Sequence, residues 1–243
     1  MATIDKALDA LFLLGQAGQA LRLADIARSL DMPRSSAHRI LAPLVARGLL
    51  ERDAHGRYQA GLGLMTLGLA CARREPIAHA AQPVLEAAAH ELGETFFLVV
   101  ARGGRLVVLE KAEGDGFLRA APRLGSSVPV HATAVGKLYL AHAPDAVELE
   151  ALPRYTPATL RSRTALAAAV AEARSRGWAV NDEEWQAGLC VAAAPVLVGG
   201  RLEGCVALAL VAARFHALGT AAAVRRVRHA AEGIALRLEG EKS

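Results

Sequence analysis

Leu23-Ala24-Asp25-Ile26-Ala27-Arg28-Ser29-Leu30, Asp31-Met32, then Pro33-Arg34-Ser35-Ser36-Ala37-His38-Arg39-Ile40-Leu41 is the stretch that decides the fold of the N-terminal region. Leu23, Ile26, Ala27 and Leu30 recur at the i, i+3, i+4, i+7 spacing of a half-buried helix. Asp31-Met32 breaks that period, and Pro33 suits the first turn of a new helix, where its missing N–H is no loss. The new helix buries Ala37, Ile40, Leu41, Leu44 and Val45, and its other face shows Arg34, Ser35, Ser36, His38 and Arg39. Gly48 ends it. Two helices separated by so short a break make a helix-turn-helix. Pro43 lies inside the second helix and removes a hydrogen bond to the Arg39 carbonyl, so a kink or early thinning is expected there.

Upstream, Thr3 caps a first helix whose Ile4, Ala7, Leu8, Leu11 and Phe12 share one face, closed by Gly15 and Gly18. Downstream, Leu49-Leu50-Glu51-Arg52 and Arg57-Tyr58-Gln59 flank Asp53-Ala54-His55-Gly56, which reads as a β-hairpin. A hairpin directly after the third helix is a wing. A DNA major groove admits one helix, and side chains near its N-terminus reach base edges. Arg34, Ser35, Ser36, His38 and Arg39 are therefore the candidate base and phosphate contacts. Arg52, Arg57 and Tyr58 on the wing suit the backbone or the minor groove. For any single arginine, a solvated helix face is the ordinary reading; the order of helix, helix, Pro-started helix, glycine and hairpin is what makes the set specific.

Composition narrows the class. The chain has 243 residues, a net charge of +4 and 53% hydrophobic residues, enough for a real core. Residues 1–60 and the remainder each carry +2, so bulk charge says little; Met32–Leu49, with three arginines and no acid, says more. Only three cysteines occur and none form a CxxC pair, which argues against a disulfide framework and a Cys-based zinc site. Apolar runs such as Cys205–Ala213 are too short to span a bilayer, and the N-terminus lacks the plan of a signal peptide. A cytoplasmic protein with no membrane partner is expected.

The rest reads as a second domain. Gly61–Leu92 is helical, interrupted at Pro76. Thr95–Ala101 and Arg105–Lys111 flank a Gly103-Gly104 turn, Thr164–Gly177 is a helix, Val191–Val198 and Cys205–Ala212 are buried strands, and His216–Gly240 is a closing helix. The expected architecture is α+β with two domains: a winged helix-turn-helix over 1–61, a helical linker over 62–80, and an α/β domain over 81–243.

Leu23–Ala27, Pro33–Leu41, Leu49–Arg52 and Arg57–Gly61 resemble the N-terminal domain of the IclR family of bacterial transcriptional regulators. His131-Ala132-Thr133-Ala134-Val135-Gly136-Lys137-Leu138 resembles that family's effector-domain helix start, and Asn181–Trp185 through Gly188 to Ala194-Pro195-Val196 resembles its second signature. The resemblance implies a GAF-like C-terminal sheet, a homodimer or dimer of dimers on a pseudo-palindromic double-stranded operator, and a small carboxylate effector. Thr133 can cap the helix and Gly136 leaves its first-turn N–H groups accessible, a natural seat for a carboxylate; a plain capped helix is the alternative. On that basis Thr133, Val135, Gly136 and Lys137 are effector candidates. The family's pocket positions fall on Asn181, Val191, Val211 and Ala213, with Cys190 one residue off and so on the opposite face of its strand. Apolar residues there in place of polar ones predict a bulkier or more apolar acid, aromatic or alkyl.

An enzyme is the rival class. Cys190 with His131 or His142 could be drawn as a nucleophile and base, but a thiol in an apolar strand is ordinarily inert. Asp182-Glu183-Glu184 could take a metal, though such clusters are usually solvated. No phosphate loop, serine elbow or HExxH occurs, so no catalytic residue, cofactor or metal is expected. A sensing module that acts by protein contact alone is the third reading.

Overall fold

The computed structural model describes residues 3–72, 75–115, 122–149 and 151–240. They divide into two compact units, Met1–Glu75 and Pro76–Ser243.

The first unit holds α1 (Thr3–Gln16), α2 (Leu23–Ser29), α3 (Arg34–Ala46), the hairpin β1 (Leu50–Arg52) and β2 (Tyr58–Ala60), and α4 (Leu62–Ala72). Ala10, Leu14, Ile26, Leu41, Leu50 and Tyr58 form its core. The turn between α2 and α3 is closed by the Met32 N–H on the Ala27 carbonyl, with Asp31 in a left-handed conformation. Pro33 is the N-cap of α3 rather than a first-turn residue. The helix continues through Pro43 to Ala46, and the Arg47 N–H closes on the Pro43 carbonyl. The apolar face of α1 is also not the one expected. Ala10 and Leu14 point inward, whereas Ile4, Leu8 and Phe12 are 72%, 48% and 67% exposed.

The second unit begins at α5 (Pro76–Leu92), whose Ile77, Ala80 and Ala81 are buried in its core. Residues 76–80 therefore belong to this unit, and the connecting helix expected over 62–80 is α4 alone. The order continues with β3 (Thr95–Arg102), β4 (Arg105–Ala112), β5 (Ser127–Val128), α6 (Ala134–His142), a 3-10 turn, α7 (Arg163–Arg176), β6 (Ala179–Asp182), β7 (Leu189–Val198), β8 (Arg201–Val211), α8 (Ala212–Leu218) and α9 (Thr220–Gly240). Six strands pair antiparallel in the order β5-β4-β3-β8-β7-β6.

Strand alternation splits the apolar residues between two faces. Phe96, Leu98, Val100, Cys190, Ala192 and Leu208 pack against α5 and α9. Phe97, Val99, Val191, Ala193, Ala207 and Ala209 pack under α6. The closing helix is broken in two at Gly219, whose φ of 82° is costly for any residue with a side chain. Among the described residues, no helix is long and apolar enough to cross a membrane.

Candidate functional site

In the N-terminal unit α3 presents its sides as the sequence pattern requires. Ala37 and Leu41 are buried, Arg34, Ser35, His38 and Arg39 are exposed, and Ser36 is half-buried. No side chain caps the helix, so its first-turn N–H groups are available beside the Arg34 guanidinium and the Ser35 hydroxyl. Phosphate is the anion that such a combination suits.

The wing is held by its own turn. Asp53 Oδ1 accepts the N–H groups of His55 and Arg57, each at 2.8 Å. The Arg57 hydrogen bond, with that of His55, holds the Asp53 carboxyl below the usual aspartate range. Arg52 is exposed with its guanidinium 5.0 Å from the centre of the Tyr58 ring, and Arg57 is half-buried. Tyr58 itself is 2% exposed and pairs with Leu21 through both backbone hydrogen bonds. Its expected place on the DNA face is therefore corrected: the ring is core, and Arg52 is the wing cation that lies over it. The sequence signal was ambiguous because an aromatic residue in a strand of period two suits either face.

In the second unit the segment before α6 is tightly built. Thr133 caps the helix by accepting the Gly136 N–H at 3.1 Å, while its own hydroxyl donates to the Pro129 carbonyl at 2.7 Å. Gly136 serves close approach rather than access. A Cβ there would collide with the Val130 carbonyl oxygen, and its N–H is already taken by Thr133. Val135 is buried in the core below α6.

Lys137 does not present its ammonium at the helix start. Nζ reaches β6, donating to the Val180 carbonyl at 3.1 Å and pairing with the Glu184 carboxylate, with both side chains about nine-tenths buried. Glu184 is the residue the sequence reading missed, and its signal was only a DEE run that looked solvated. Its backbone carbonyl is gripped by the Thr156 and Thr159 hydroxyls, and its N–H donates to Asn181 Oδ1 at 2.7 Å.

Asn181 is fully buried, stands opposite Val191 on the face under α6, and leaves Nδ2 without a hydrogen-bond partner. Val211 ends β8 opposite Leu189, which packs into the same core. Ala213 does not follow it as a strand residue: α8 starts at Ala212, and Ala213 is exposed. The structure thus brings Asn181, Val191 and the Val135 helix turn to one side of the sheet and removes Ala213 from it. None of these residues lines the cleft of about 620 Å³ in this unit, whose walls include Leu106, Val130, His131, Tyr155 and Trp185. His131 stacks on Tyr155 with ring centres 5.6 Å apart, and its Nε2 lies 2.9 Å from the Pro153 carbonyl.

Cys190 lies on the opposite face of the sheet from His131, a base considered for it. Its thiol packs in the α5 and α9 core, donates to Asp182 Oδ1 at 3.0 Å, and is pushed up to about 12 by burial and by that carboxylate. At neutral pH it is protonated and a poor nucleophile.

Comparison with known proteins covers both units. Residues 3–54 match the model of the IclR helix-turn-helix domain, and residues 69–236 match that of the C-terminal domain of the bacterial transcriptional regulator IclR. The HTH-type transcriptional regulator XynR of Escherichia coli (strain K12) is 33% identical over 201 residues, which is 80% of this chain and 79% of that protein. The crystal structure of IclR from Thermotoga maritima superposes with a TM-score of 0.81 at 27% identity, covering 97% of this chain and 98% of that one. An IclR homologue from Microbacterium hydrocarbonoxydans, complexed with 4-hydroxybenzoate, superposes with a TM-score of 0.80 over 98% and 100% of the two chains; at 24% identity it speaks to the fold alone.

Proposed function

The chain belongs to the IclR family of bacterial transcriptional regulators, and from that premise we propose that it controls a catabolic operon in the cytoplasm, reading a pseudo-palindromic operator and answering to a small aromatic or alkyl carboxylate. Arg34, Ser35, His38 and Arg39, with Ser36 at their edge, read the half-site, while Arg52 and Arg57 hold the backbone. The observation that carries the DNA reading is the two-sidedness of α3, with arginines outward and Ala37 and Leu41 inward.

One recognition helix reads one half-site, so two copies are needed. Ile4, Leu8 and Phe12 form an exposed apolar stripe on α1, and Leu62, Met65 and Leu69 are exposed on α4. Apolar surface of that extent on one small unit supports a contact between copies there.

The effector reading rests on Asn181 Nδ2, a buried donor with no partner, opposite Val191 and beside the Lys137–Glu184 pair. Leaving such a donor unmet costs about 1–3 kcal/mol, which an acid oxygen would recover. Val191 and Val211 give the apolar wall that an aromatic or alkyl body needs. The effector must bind the operator-competent and incompetent states with different affinity, and α4 is the connection through which the two units communicate.

The test pairs two measurements on the full chain. Duplexes spanning the promoters beside its own gene are titrated between 50 and 200 mM salt, where affinity should fall by about a thousandfold or more. Calorimetry then compares benzoate-type and alkyl acids with glyoxylate and pyruvate. Binding of only the two smallest acids would overturn the effector reading, and a flat salt dependence would overturn the DNA reading.

A further inference from the structure

Three metal-ligating side chains meet on the face of the sheet away from Asn181 and Val191. Asp182 closes β6 and stands directly opposite Cys190 on β7, so both side chains leave the sheet on the same side. His216 arrives from α8. A carboxylate oxygen, the sulfur and an imidazole nitrogen lie within 4.8 Å of one another. Cys190 Sγ is 3.0 Å and His216 Nε2 is 3.6 Å from Asp182 Oδ1. Tetrahedral Zn²⁺, with bonds of about 2.3 Å to sulfur and 2.0–2.2 Å to nitrogen or oxygen, holds its donors roughly 3.3–3.6 Å apart. The three groups are thus near ligand spacing already.

We propose that Asp182, Cys190 and His216 form a Zn²⁺ site, with the fourth coordination position open to the cleft of about 410 Å³ that Thr156, Ala158, Glu183 and Ala187 line beside them. Thiolate and imidazole together select zinc over magnesium or calcium, which take oxygen. Thiolate and carboxylate also neutralise the dication. On binding, the Cys190 S–H bond breaks, its electron pair goes to the metal and its proton goes to solvent. Without the metal the thiol keeps that proton, because burial and the Asp182 carboxylate disfavour a second negative charge. Bound zinc would tie α8, which follows directly from β8, to the β6–β7 pair. Asn181 and Val191 neighbour two of the ligands in sequence but face the other way, so the site stands or falls independently of the effector reading.

The experiment uses the full chain with Cys71→Ser, which removes the exposed thiol, reduced and stripped of metal with a chelator. Co²⁺ is the spectroscopic probe, and Zn²⁺ affinity is read by competition with a chromophoric chelator. The expected result is one Co²⁺ per chain with a thiolate-to-cobalt absorption in the near ultraviolet, displaced by Zn²⁺. Cys190→Ser should abolish that band. His216→Ala, at an exposed position whose loss leaves the core intact, should weaken Zn²⁺ by about tenfold or more. Absence of the thiolate band, its survival in Cys190→Ser, or unchanged Zn²⁺ affinity in His216→Ala would each overturn the proposal.

Discussion

Replacing Lys137 by methionine separates a structural lysine from a ligand-binding one. The side chains of Lys137 and Glu184 are 7% and 11% exposed, and the ammonium has the Val180 carbonyl as its further partner. Glu184 Oε2 has none. Methionine keeps the length of the stem and removes the charge, which strands the Glu184 carboxylate inside the protein. Breaking a buried pair from one side costs about 3–5 kcal/mol, because the remaining charge has lost both water and partner. For a unit of this size that lowers the melting temperature by roughly 6–20 °C. The protein's two tryptophans, Trp178 and Trp185, both lie in the second unit, so fluorescence in urea reports that unit alone. The double variant Lys137→Met/Glu184→Leu supplies the control. With no charge left to strand, it should be less destabilised than the two single losses summed, by at least about 1 kcal/mol. A single variant that loses under about 1 kcal/mol, or a double variant that is strictly additive, would refute the reasoning. If Lys137 instead held the effector, the substitution would abolish acid binding with stability nearly intact.

Arg34→Ala and Arg39→Ala should each reduce the slope of log affinity against log salt by about 1 if the arginine meets a phosphate, and relax sequence preference if it meets a base; fluorescence anisotropy on operator and scrambled duplexes distinguishes them. Asp53→Ala should speed amide exchange at His55 and Arg57 by about threefold to tenfold, measured by hydrogen exchange. Because the Asp53 carboxyl is held below its ordinary range in the folded wing, the order it confers is complete above the unfolded value and fades as pH drops through the folded one. Protection at those two amides should therefore outlast the usual aspartate titration near pH ~3.9. Leu8→Glu with Phe12→Glu places charge on the exposed stripe of α1, and sedimentation should show a smaller species with weaker operator binding.

The helix-turn-helix was legible from residue order because its contacts are short-range: α2 and α3 are neighbours in sequence, and their inward residues repeat at helical spacing. The period of two likewise places Cys190 and Val191 on opposite faces of their strand from sequence alone, and they pack into different cores. The three-residue strands of the wing were legible because a glycine turn joins them, but short strands without such a turn were not. β5 has two residues and β6 four, and segments that short are strands only by virtue of their partners. Thr133 read correctly as a cap, while the role of Gly136 depended on a carbonyl six residues earlier that bends back over it.

The sequence alone determined the order of elements in the N-terminal unit and the outward arginines of α3, since periodicity and capping act within a few residues of chain. It could not determine which apolar face of α1 turns inward, because Ile4, Leu8 and Phe12 are as hydrophobic as Ala10 and Leu14. Nor could it place Tyr58 in the core or seat Cys190 beside His216. The partner of Lys137 lies 47 residues away. Burial of two charges at that separation is settled only when α6 closes over β6, since it is the loss of water on both sides that makes the pair, and that loss is a property of the packed fold.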